Sequence, residues 1–328
     1  MSELDDDLAV QATADDALVS KHSAAALGYF EDNFLRHFVK KPSRRAPLIN
    51  RGYFARCAAF DHLISTFARE NPHGQVVSLG CGYDTSFFRM SAKLPETIKY
   101  FEVDFFDVIR RKAFAILKAP DLFELAGFDV EELSSQIKNK TGKIAIRGPR
   151  LRLCSADLRD IAGLDEALGL CGLDTNFPMM FFSECVLVYI EPESSAKVIA
   201  WAADKCKEQN AGGCFVTYEQ IRPDDAFGRV MMENLQRRGC ELKGIRVHPD
   251  LLSEERRFTG LGWVECTALD MNDIYAKVIP EEQRLAAEKL ELFDEFEEWY
   301  LILAHYCMAM SVIPAPTFTF KFPIPRKE

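Results

Sequence analysis

Two glycines and an acid are spaced as in a site for a nucleotide-like ligand. The apolar run at residues 76–79 has the length and β-branched content of a buried parallel strand, and it ends at Gly80 and Gly82. These glycines permit a tight turn and let a ligand lie against the backbone. About twenty residues later, a second apolar run ends at Asp104, whose carboxylate can accept hydrogen bonds from both hydroxyls of a ribose. We therefore predict that Gly80, Gly82 and Asp104 contact a nucleoside.

The same turn indicates which nucleoside is bound. A dinucleotide fingerprint requires Gly-x-Gly-x-x-Gly, and Thr85 occupies its third glycine position. The remaining pattern is closer to the loop with which methyltransferases bind S-adenosylmethionine. Gly-x-Gly alone is a weak signal, so an ordinary turn is the alternative.

An acid and an apolar residue follow the third predicted strand. Asp157 and Leu158 come after residues 151–155, and ligands of open α/β sheets bind outside the carboxyl ends of the strands. The Asp157 carboxylate could accept a hydrogen bond from an adenine amino group while Leu158 packs on the ring. The alternative is an N-cap that opens the next helix. We favour the nucleoside contact because it repeats the pattern at Asp104.

Glu184 ends the fourth predicted strand, directly after an apolar run. A carboxylate in this position is costly unless a cation or a hydrogen-bond donor meets it. A sulfonium or an ammonium group of a ligand would serve, and a solvated strand end is the alternative. Tyr189 follows in the loop where a substrate would meet the reacting group.

Arg56 and Lys21 precede the first strand and carry a weaker signal. Arg56 could bind a carboxylate through two parallel hydrogen bonds, but its spacing and that of Lys21 favour solvated side chains. The six histidines show no metal-ligand spacing, so we predict that His305 is a core residue. The sequence contains no nucleophile elbow and no Walker loop, which leaves hydrolase and nucleotide triphosphatase functions without support.

The elements that must position these residues alternate between strands and helices from residue 74 to about 220, which predicts an α/β fold with a parallel sheet. We predict a helix over 225–238 and a long amphipathic helix from Pro280 to about 300. Residues 119–150 interrupt the alternation as an inserted excursion. Strands are predicted near residues 75–80, 98–103, 151–155, 178–183, 213–218 and 308–312.

The acidic residues 1–15 contain few large apolar groups and are predicted to form a disordered tail. Residues 16–328 are expected to form a single, monomeric domain. Within it we distinguish a helical lid at 16–70, a ligand-binding core at 71–220, and substrate-side elements with the terminal strands at 221–312.

The net charge and the cysteines of the sequence indicate which cellular compartment and which binding partners to expect. A net charge of -10 disfavours a nucleic-acid partner, although a local basic patch is compatible with it. Ten cysteines without a Cys-x-x-Cys pair are expected to be buried free thiols in a reducing compartment. The acidic N-terminus is the reverse of a secretory or mitochondrial leader, and no apolar stretch is long enough to span a membrane. We expect a cytoplasmic protein with no metal and no membrane partner.

Several segments in one order resemble the leucine carboxyl methyltransferases from about residue 12 to 310. That resemblance implies a seven-stranded class I S-adenosylmethionine-dependent methyltransferase sheet with an N-terminal helical lid and inserted helices. It also implies methyl esterification of the C-terminal leucine of the catalytic subunit of type 2A protein phosphatases. Residues 314–323 are unlike the family and are assigned no role. The matching segments are 49–56, 79–85, 100–104, 156–160, 183–189 and 232–235.

The resemblance assigns most of the candidate residues to the cofactor. The acceptor is a separate expectation: holding a carboxylate calls for hydrogen bonds from a cation or a phenol, and Arg56 and Tyr189 are the candidates. The phosphatase subunit is the expected partner, through its tail and its folded surface. The cofactor-binding residues implied are Lys21 and Arg56 on the cofactor's carboxylate, Gly80 and Gly82 in the turn, Asp104 on the ribose, Asp157 and Leu158 on the adenine, and Glu184 in the same pocket.

The expected reaction is in-line methyl transfer without a general base, because a C-terminal carboxyl with a pKa of about 3.5 is ionised at neutral pH. The products are a methyl ester and S-adenosylhomocysteine. One alternative is a related enzyme that modifies a tRNA base, although that branch carries a repeat domain that this sequence lacks. The others are an oxidoreductase, against which Thr85 argues, and a non-catalytic S-adenosylmethionine-binding protein.

Overall fold

The computed structural model describes residues 3–139, 142–318 and 320–322. The helices are α1 Glu3–Ala26, α2 Pro47–Glu70, α3 Ser86–Met90, α4 Phe106–Lys118, α5 Pro120–Ala126, α6 Val130–Lys138, α7 Ile161–Leu170, α8 Pro192–Glu208, α9 Ala226–Arg237, α10 Leu251–Thr259, α11 Met271–Lys277, α12 Glu281–Ala287 and α13 Phe296–Ala304. The strands are β1 Gln75–Leu79, β2 Lys99–Asp104, β3 Ala145–Arg147, β4 Leu151–Ser155, β5 Met179–Glu184, β6 Gly213–Gln220, β7 Glu265–Asp270 and β8 Tyr306–Ile313.

All these strands form one sheet in the order β3-β4-β2-β1-β5-β6-β8-β7. Strands β1, β2, β4, β5 and β6 are parallel, whereas β3 pairs antiparallel with β4, and β8 pairs antiparallel with β6 and β7. The chain first moves from β1 toward β2 and later returns to the other side of β1 through β5. The strand order therefore reverses at β1, and ligands of such sheets bind outside the carboxyl ends of the strands at this point.

The central strands are apolar on both faces because helices cover both sides of the sheet. Val76 and its neighbour Val77 are fully buried but belong to different core clusters, as the alternation of side chains along a strand requires. The cluster around Val76 includes residues of α1, α2, α4 and α13. The cluster around Val77 includes residues of α7, α8 and α10.

The structure confirms the α/β fold and the predicted strands, and it adds a strand to the seven expected. The extra strand is β3, which lies with α5 and α6 in the inserted excursion. The helix predicted over 225–238 is confirmed as α9. The prediction of a single long helix from Pro280 to about 300 is wrong, because residues 288–295 separate α12 from α13. Within that break, Glu291 accepts hydrogen bonds from Tyr29 and Asn50, which hold the segment on a non-helical path.

The predicted disordered tail is wrong for residues 3–15, which form the first half of α1. Arg159 donates to both carboxylate oxygens of Asp7 at 2.9 and 2.8 Å, and the Cys240 thiol donates to the backbone oxygen of Ala9 at 3.4 Å. These contacts join residues that are 152 and 231 positions apart in the chain. Local composition carries no trace of such partners, so it suggested disorder.

Three further findings bear on the predictions made from the sequence. Phe318 and Phe320, in the C-terminal segment that was assigned no role, are buried and lie 6.4 and 6.0 Å from the ring of Phe67 in α2. The ten cysteines are free, as predicted, and all except Cys185 and Cys266 are buried. No described helix is long and apolar enough to cross a membrane.

Candidate active site

A large cavity lies outside the carboxyl ends of β1, β2, β4 and β5. Its volume is ≈ 1090 Å³. The structure brings every predicted site residue to this one cavity, and their contacts with a ligand stay predictions. The predicted residues that line it are Lys21, Arg56, Gly80, Gly82, Asp104, Asp157, Leu158, Glu184 and Tyr189.

The glycine turn after β1 is fastened to the tip of β2. Gly80 and Gly82 have φ angles of 71° and 50°, in the left-handed region that glycine adopts without strain. The backbone N–H of Gly82 donates to Oδ2 of Asp104, and the backbone N–H of Phe105 donates to Oδ1. Both donor–acceptor distances are 2.7 Å. Burial raises the pKa of Asp104, and these two donors oppose the increase. Each oxygen keeps a lone pair that could accept from a ribose hydroxyl.

Gly80 packs against protein on the side where its side chain would be. A Cβ atom at this position would lie 2.5 Å from Cγ2 of Val186, in the loop after β5. We expected a ligand to need this closeness to the backbone. The structure instead shows that the turn conformation and the Val186 side chain both require a glycine here.

Two cations and two carboxylates form a buried charge cluster on one wall of the cavity, made of Lys21, Arg56, Asp84 and Glu184. Lys21 Nζ lies 3.1 Å from a carboxylate oxygen of Asp84 and 3.1 Å from one of Glu184. Arg56 donates from Nε to the Glu184 carboxylate and from Nη2 to the Glu184 backbone oxygen. No side chain of the cluster is more than 13% exposed.

Neighbouring charges keep Asp84, Lys21 and Arg56 in the ionised state. Burial alone would raise the pKa of Asp84, but Lys21 and two further cations hold it well below its usual value. Burial alone would lower the pKa of Lys21 and of Arg56, but the neighbouring carboxylates raise both. With Glu184, the cluster balances two positive charges against two negative charges. A zwitterionic ligand could therefore bind there without leaving a net charge buried.

Aromatic rings hold Arg56 in its orientation. Its guanidinium carbon lies 4.8 Å from the ring centroid of Tyr218 and 5.5 Å from that of Tyr53. Such cation–π contacts stabilise a desolvated guanidinium. Tyr53, Gln220 and Tyr306 also line the cavity. The sequence did not single out Tyr53, Tyr218 or Tyr306, because nothing local distinguishes them from ordinary core aromatic residues. It gave no local signal for Gln220 either.

A second buried ion pair supports the glycine turn from beneath, and the sequence reasoning missed it. Lys112 in α4 lies 2.7 Å from a carboxylate oxygen of Glu102 in β2. The same ammonium donates to the backbone oxygen of Asp84 over 2.7 Å. Lys112 therefore connects the middle of β2 to the turn that carries the charge cluster.

Asp157 is already paired in the structure. Nη2 of Arg159 lies 2.6 Å from the Asp157 carboxylate, and the same guanidinium binds Asp7 of α1. The pair joins α1 to the loop after β4 beside the cavity. Leu158 and Phe105 also line the cavity and offer apolar surface to a flat ring. Asp7, Phe105 and Arg159 were not predicted.

Tyr189 lies in a single 3₁₀ turn, Leu187–Tyr189, that follows β5. Burial raises the pKa of Tyr189 well above its usual value, so its phenol is a neutral donor at physiological pH. Glu219 accepts a hydrogen bond from the Val188 N–H over 2.8 Å, and Arg257 lies 2.9 Å from the other oxygen of that carboxylate. Glu219 and Arg257 thus fix the loop that carries Tyr189.

Within the part of the chain that the structure describes, no group of three or more His, Cys, Asp or Glu side chains is arranged to hold a metal ion. His305 is buried, with Nδ1 2.7 Å from the Leu301 backbone oxygen and Nε2 2.8 Å from Asp225. These contacts confirm the prediction that His305 is a core residue.

Comparison with solved structures shows where this fold occurs. A DUF574 family protein from Streptomyces avermitilis superposes with a TM-score of 0.55 at 12% sequence identity, covering 91% of this chain and 97% of that chain. At this identity, the similarity concerns the fold alone.

Sequence comparison is more specific. A protein of Arabidopsis thaliana called leucine carboxyl methyltransferase 1 homolog is 39% identical over 306 residues, 93% of this chain and 89% of the relative. The human tRNA wybutosine-synthesizing protein 4 is 40% identical over 324 residues, 96% of this chain but only 46% of that protein, so the chain spans about half the length of that relative. The family model for leucine carboxyl methyltransferase matches residues 6–203. The chain therefore belongs to the leucine carboxyl methyltransferase family.

Proposed function

We propose that the cavity binds S-adenosylmethionine and that the enzyme transfers its methyl group to the carboxylate of a C-terminal leucine. The charge cluster is the observation that carries this proposal. Its two cations suit the carboxylate of the cofactor's amino acid part, and its two acids suit the ammonium group. Asp104 would accept from the ribose hydroxyls, and Leu158 with Phe105 would enclose the adenine.

The size of the cavity supports the presence of a second ligand. A volume of ≈ 1090 Å³ is slightly above the ~300–1,000 Å³ that a small-molecule site usually occupies, so the cofactor leaves room for an acceptor tail. Tyr53, Tyr189 and Tyr306 line the cavity close to Arg56 and give this part of the wall three aromatic rings. An aromatic wall suits an apolar terminal side chain such as that of leucine.

When bound, the cofactor supplies an electrophilic methyl group on a sulfonium. The residues of this chain need only bind, orient and desolvate the acceptor, because a carboxylate is already ionised at neutral pH. Tyr189 can donate its phenol proton to one carboxylate oxygen, and Arg56 adds positive charge beside it. The other oxygen stays free to face the methyl group, aligned at about 3–3.5 Å. The α1 residues that line the cavity would help to exclude water, which would otherwise solvate this weak nucleophile.

The proposed acceptor is the catalytic subunit of type 2A protein phosphatases. Support comes from family membership and from the 89% coverage of a relative that is called a leucine carboxyl methyltransferase 1 homolog. Members of this family are expected to recognise the phosphatase by both its tail and its folded surface. A flexible tail alone pays an ordering cost on binding, so we expect the tail peptide to be a poorer substrate than the folded subunit.

A second candidate acceptor is a modified base of tRNA. The 40% identity to the human tRNA wybutosine-synthesizing protein 4 favours it. A net charge of -10 argues against it, because the contacts that dominate RNA affinity are made by cations.

Transfer of a labelled methyl group distinguishes these functions. Three reactions would each contain the enzyme and labelled S-adenosylmethionine. They differ in the acceptor, which is the phosphatase catalytic subunit, the same subunit without its last leucine, or total tRNA. We expect label only in the intact subunit. Equal labelling of the truncated subunit contradicts a C-terminal acceptor, and label in tRNA alone supports the second candidate. Cofactor binding without transfer to any acceptor supports a non-catalytic binding protein.

A further inference from the structure

A second, smaller cavity lies beside the candidate active site, with a volume of ≈ 380 Å³. Tyr83, in the glycine turn, lines both cavities. The remaining walls come mainly from the segment after α1 and from α4, with one residue each from α1 and α6. We call it the side groove, and it is lined by Asp15, His37, Phe38, Val39, Lys40, Tyr83, Arg110, Arg111, Phe114, Ala115 and Ile137.

The side groove is positively charged in a protein that is acidic as a whole. Lys40, Arg110 and Arg111 line it, against the single carboxylate of Asp15. Lys40 is exposed and makes no ion pair among the residues described. Arg110 pairs with the exposed Asp107 at 3.2 Å, and such a pair contributes little and exchanges readily. The groove therefore offers free positive charge to an anionic group.

Aromatic rings form the apolar part of the groove. Phe38 and Tyr83 stack with ring centroids 6.1 Å apart. Burial raises the pKa of Tyr83, and the neighbouring Arg111 opposes that increase. Phe114 is 50% exposed, with the ammonium of Lys118 5.5 Å from its ring centroid. A large apolar side chain exposed inside a basic groove suits a ligand that carries both acidic and aromatic side chains.

We propose that the side groove binds an acidic and aromatic stretch of the protein substrate, which precedes the terminal residue in the active-site cavity. This inference rests on the proposed function and specifies how the tail is recognised. Tyr83 lies in the wall of both cavities, so the side groove adjoins the active-site cavity. RNA fits this site poorly, because an RNA-binding surface usually neutralises several phosphates and this groove presents three cations and an acid.

The test combines a charge-reversal variant with a matched control. Lys40→Glu/Arg111→Glu reverses two charges of the groove, and neither residue belongs to the charge cluster or touches the proposed methyl acceptor. Lys93→Glu reverses an exposed charge in the loop before β2, at the amino-terminal end of that strand and away from both cavities. Steady-state methyl transfer to the phosphatase catalytic subunit would be measured for each protein, at low and at high salt.

We expect the double variant to raise the KM for the phosphatase subunit about tenfold, equivalent to ~1.4 kcal/mol, with kcat unchanged. Lys93→Glu should leave both constants unchanged, and high salt should narrow the difference between wild type and the double variant. A KM within twofold of wild type in the double variant overturns the inference. If that variant instead loses binding of a tRNA anticodon stem-loop that wild type binds, the groove is an RNA site and the inference is also wrong. Absence of transfer by the wild-type enzyme is the separate failure of the proposed function.

Discussion

Removal of Arg56 is the most informative perturbation of the candidate site. Arg56→Ala leaves Glu184 and Asp84 to share Lys21, so the buried cluster acquires a net negative charge at the place where the cofactor's carboxylate must bind. Breaking a buried ion pair by deleting one partner costs about 3–5 kcal/mol. The side chains of Arg56 and Glu184 are 12% and 13% exposed, so little of this cost is screened by water.

We expect two measurable quantities to change. The dissociation constant for S-adenosylhomocysteine should rise about a hundredfold, which corresponds to ~2.7 kcal/mol. Independently, the free energy of unfolding without ligand should fall by about 3–5 kcal/mol. Isothermal titration calorimetry gives the first quantity, and denaturant unfolding without ligand gives the second.

A compensated variant separates binding from folding. Arg56→Ala/Glu184→Gln removes one charge of each sign, so stability should partly recover while affinity stays low. Arg237→Ala is the matched control, because Arg237 is exposed and its ion pair within the described part of the chain is with the exposed Glu233. The reasoning is refuted if Arg56→Ala binds S-adenosylhomocysteine within threefold of wild type.

Four further perturbations test other parts of the site. Asp104→Ala should weaken cofactor binding about tenfold to a hundredfold in calorimetry, because charge-assisted hydrogen bonds to the ribose contribute ~1.5–3 kcal/mol each; unchanged affinity contradicts the ribose assignment. Gly80→Ala should lower the thermal unfolding temperature, and Val186→Ala in the same chain should restore part of the loss; loss of binding with full stability would instead support direct contact between this backbone and the ligand. Burial raises the pKa of Glu254 to about 7, aided by repulsion from Glu219 and opposed by Arg257. Stability from protonated Glu254 is fully present below the unfolded-state pKa near 4.5 and is lost as the pH rises through about 7, so Glu254→Gln should unfold at a less pH-dependent temperature between pH 5 and 8; an equal pH dependence in both proteins contradicts this. Turnover at saturating substrates, measured well below the unfolding temperature, should be flat between about pH 6 and 9, because a C-terminal carboxyl is ionised throughout this range; a midpoint near pH 7 would reveal a general base.

The parallel sheet and its acidic strand ends could be predicted from the sequence. Asp104 and Glu184 each end an apolar run, so their position at the same end of the sheet, beyond the carboxyl ends of the strands, follows from strand direction alone. Thr85 at the third glycine position excluded the dinucleotide pattern in the same local way. These features depend on neighbours in sequence, which is why reasoning from the residues reached them.

Long-range pairing explains what sequence reasoning missed. Lys21 and Arg56 were weak candidates on spacing, because the Glu184 that both contact lies 163 and 128 positions away. The sequence did not single out Asp84, since nothing local shows that Lys21 reaches it. The order of residues 3–15 and the break before α13 likewise depend on partners at Arg159 and Tyr29, far along the chain.

The central claim concerns the bond that forms, so the most direct test examines the product. The phosphatase catalytic subunit would be incubated with the enzyme and S-adenosylmethionine. The mass of its C-terminal peptide would then be measured by mass spectrometry before and after treatment with mild base. The account predicts a mass gain of one methylene on the terminal leucine peptide, lost again in base as an ester requires. An unmodified terminal peptide, or a gain that survives base, would contradict it.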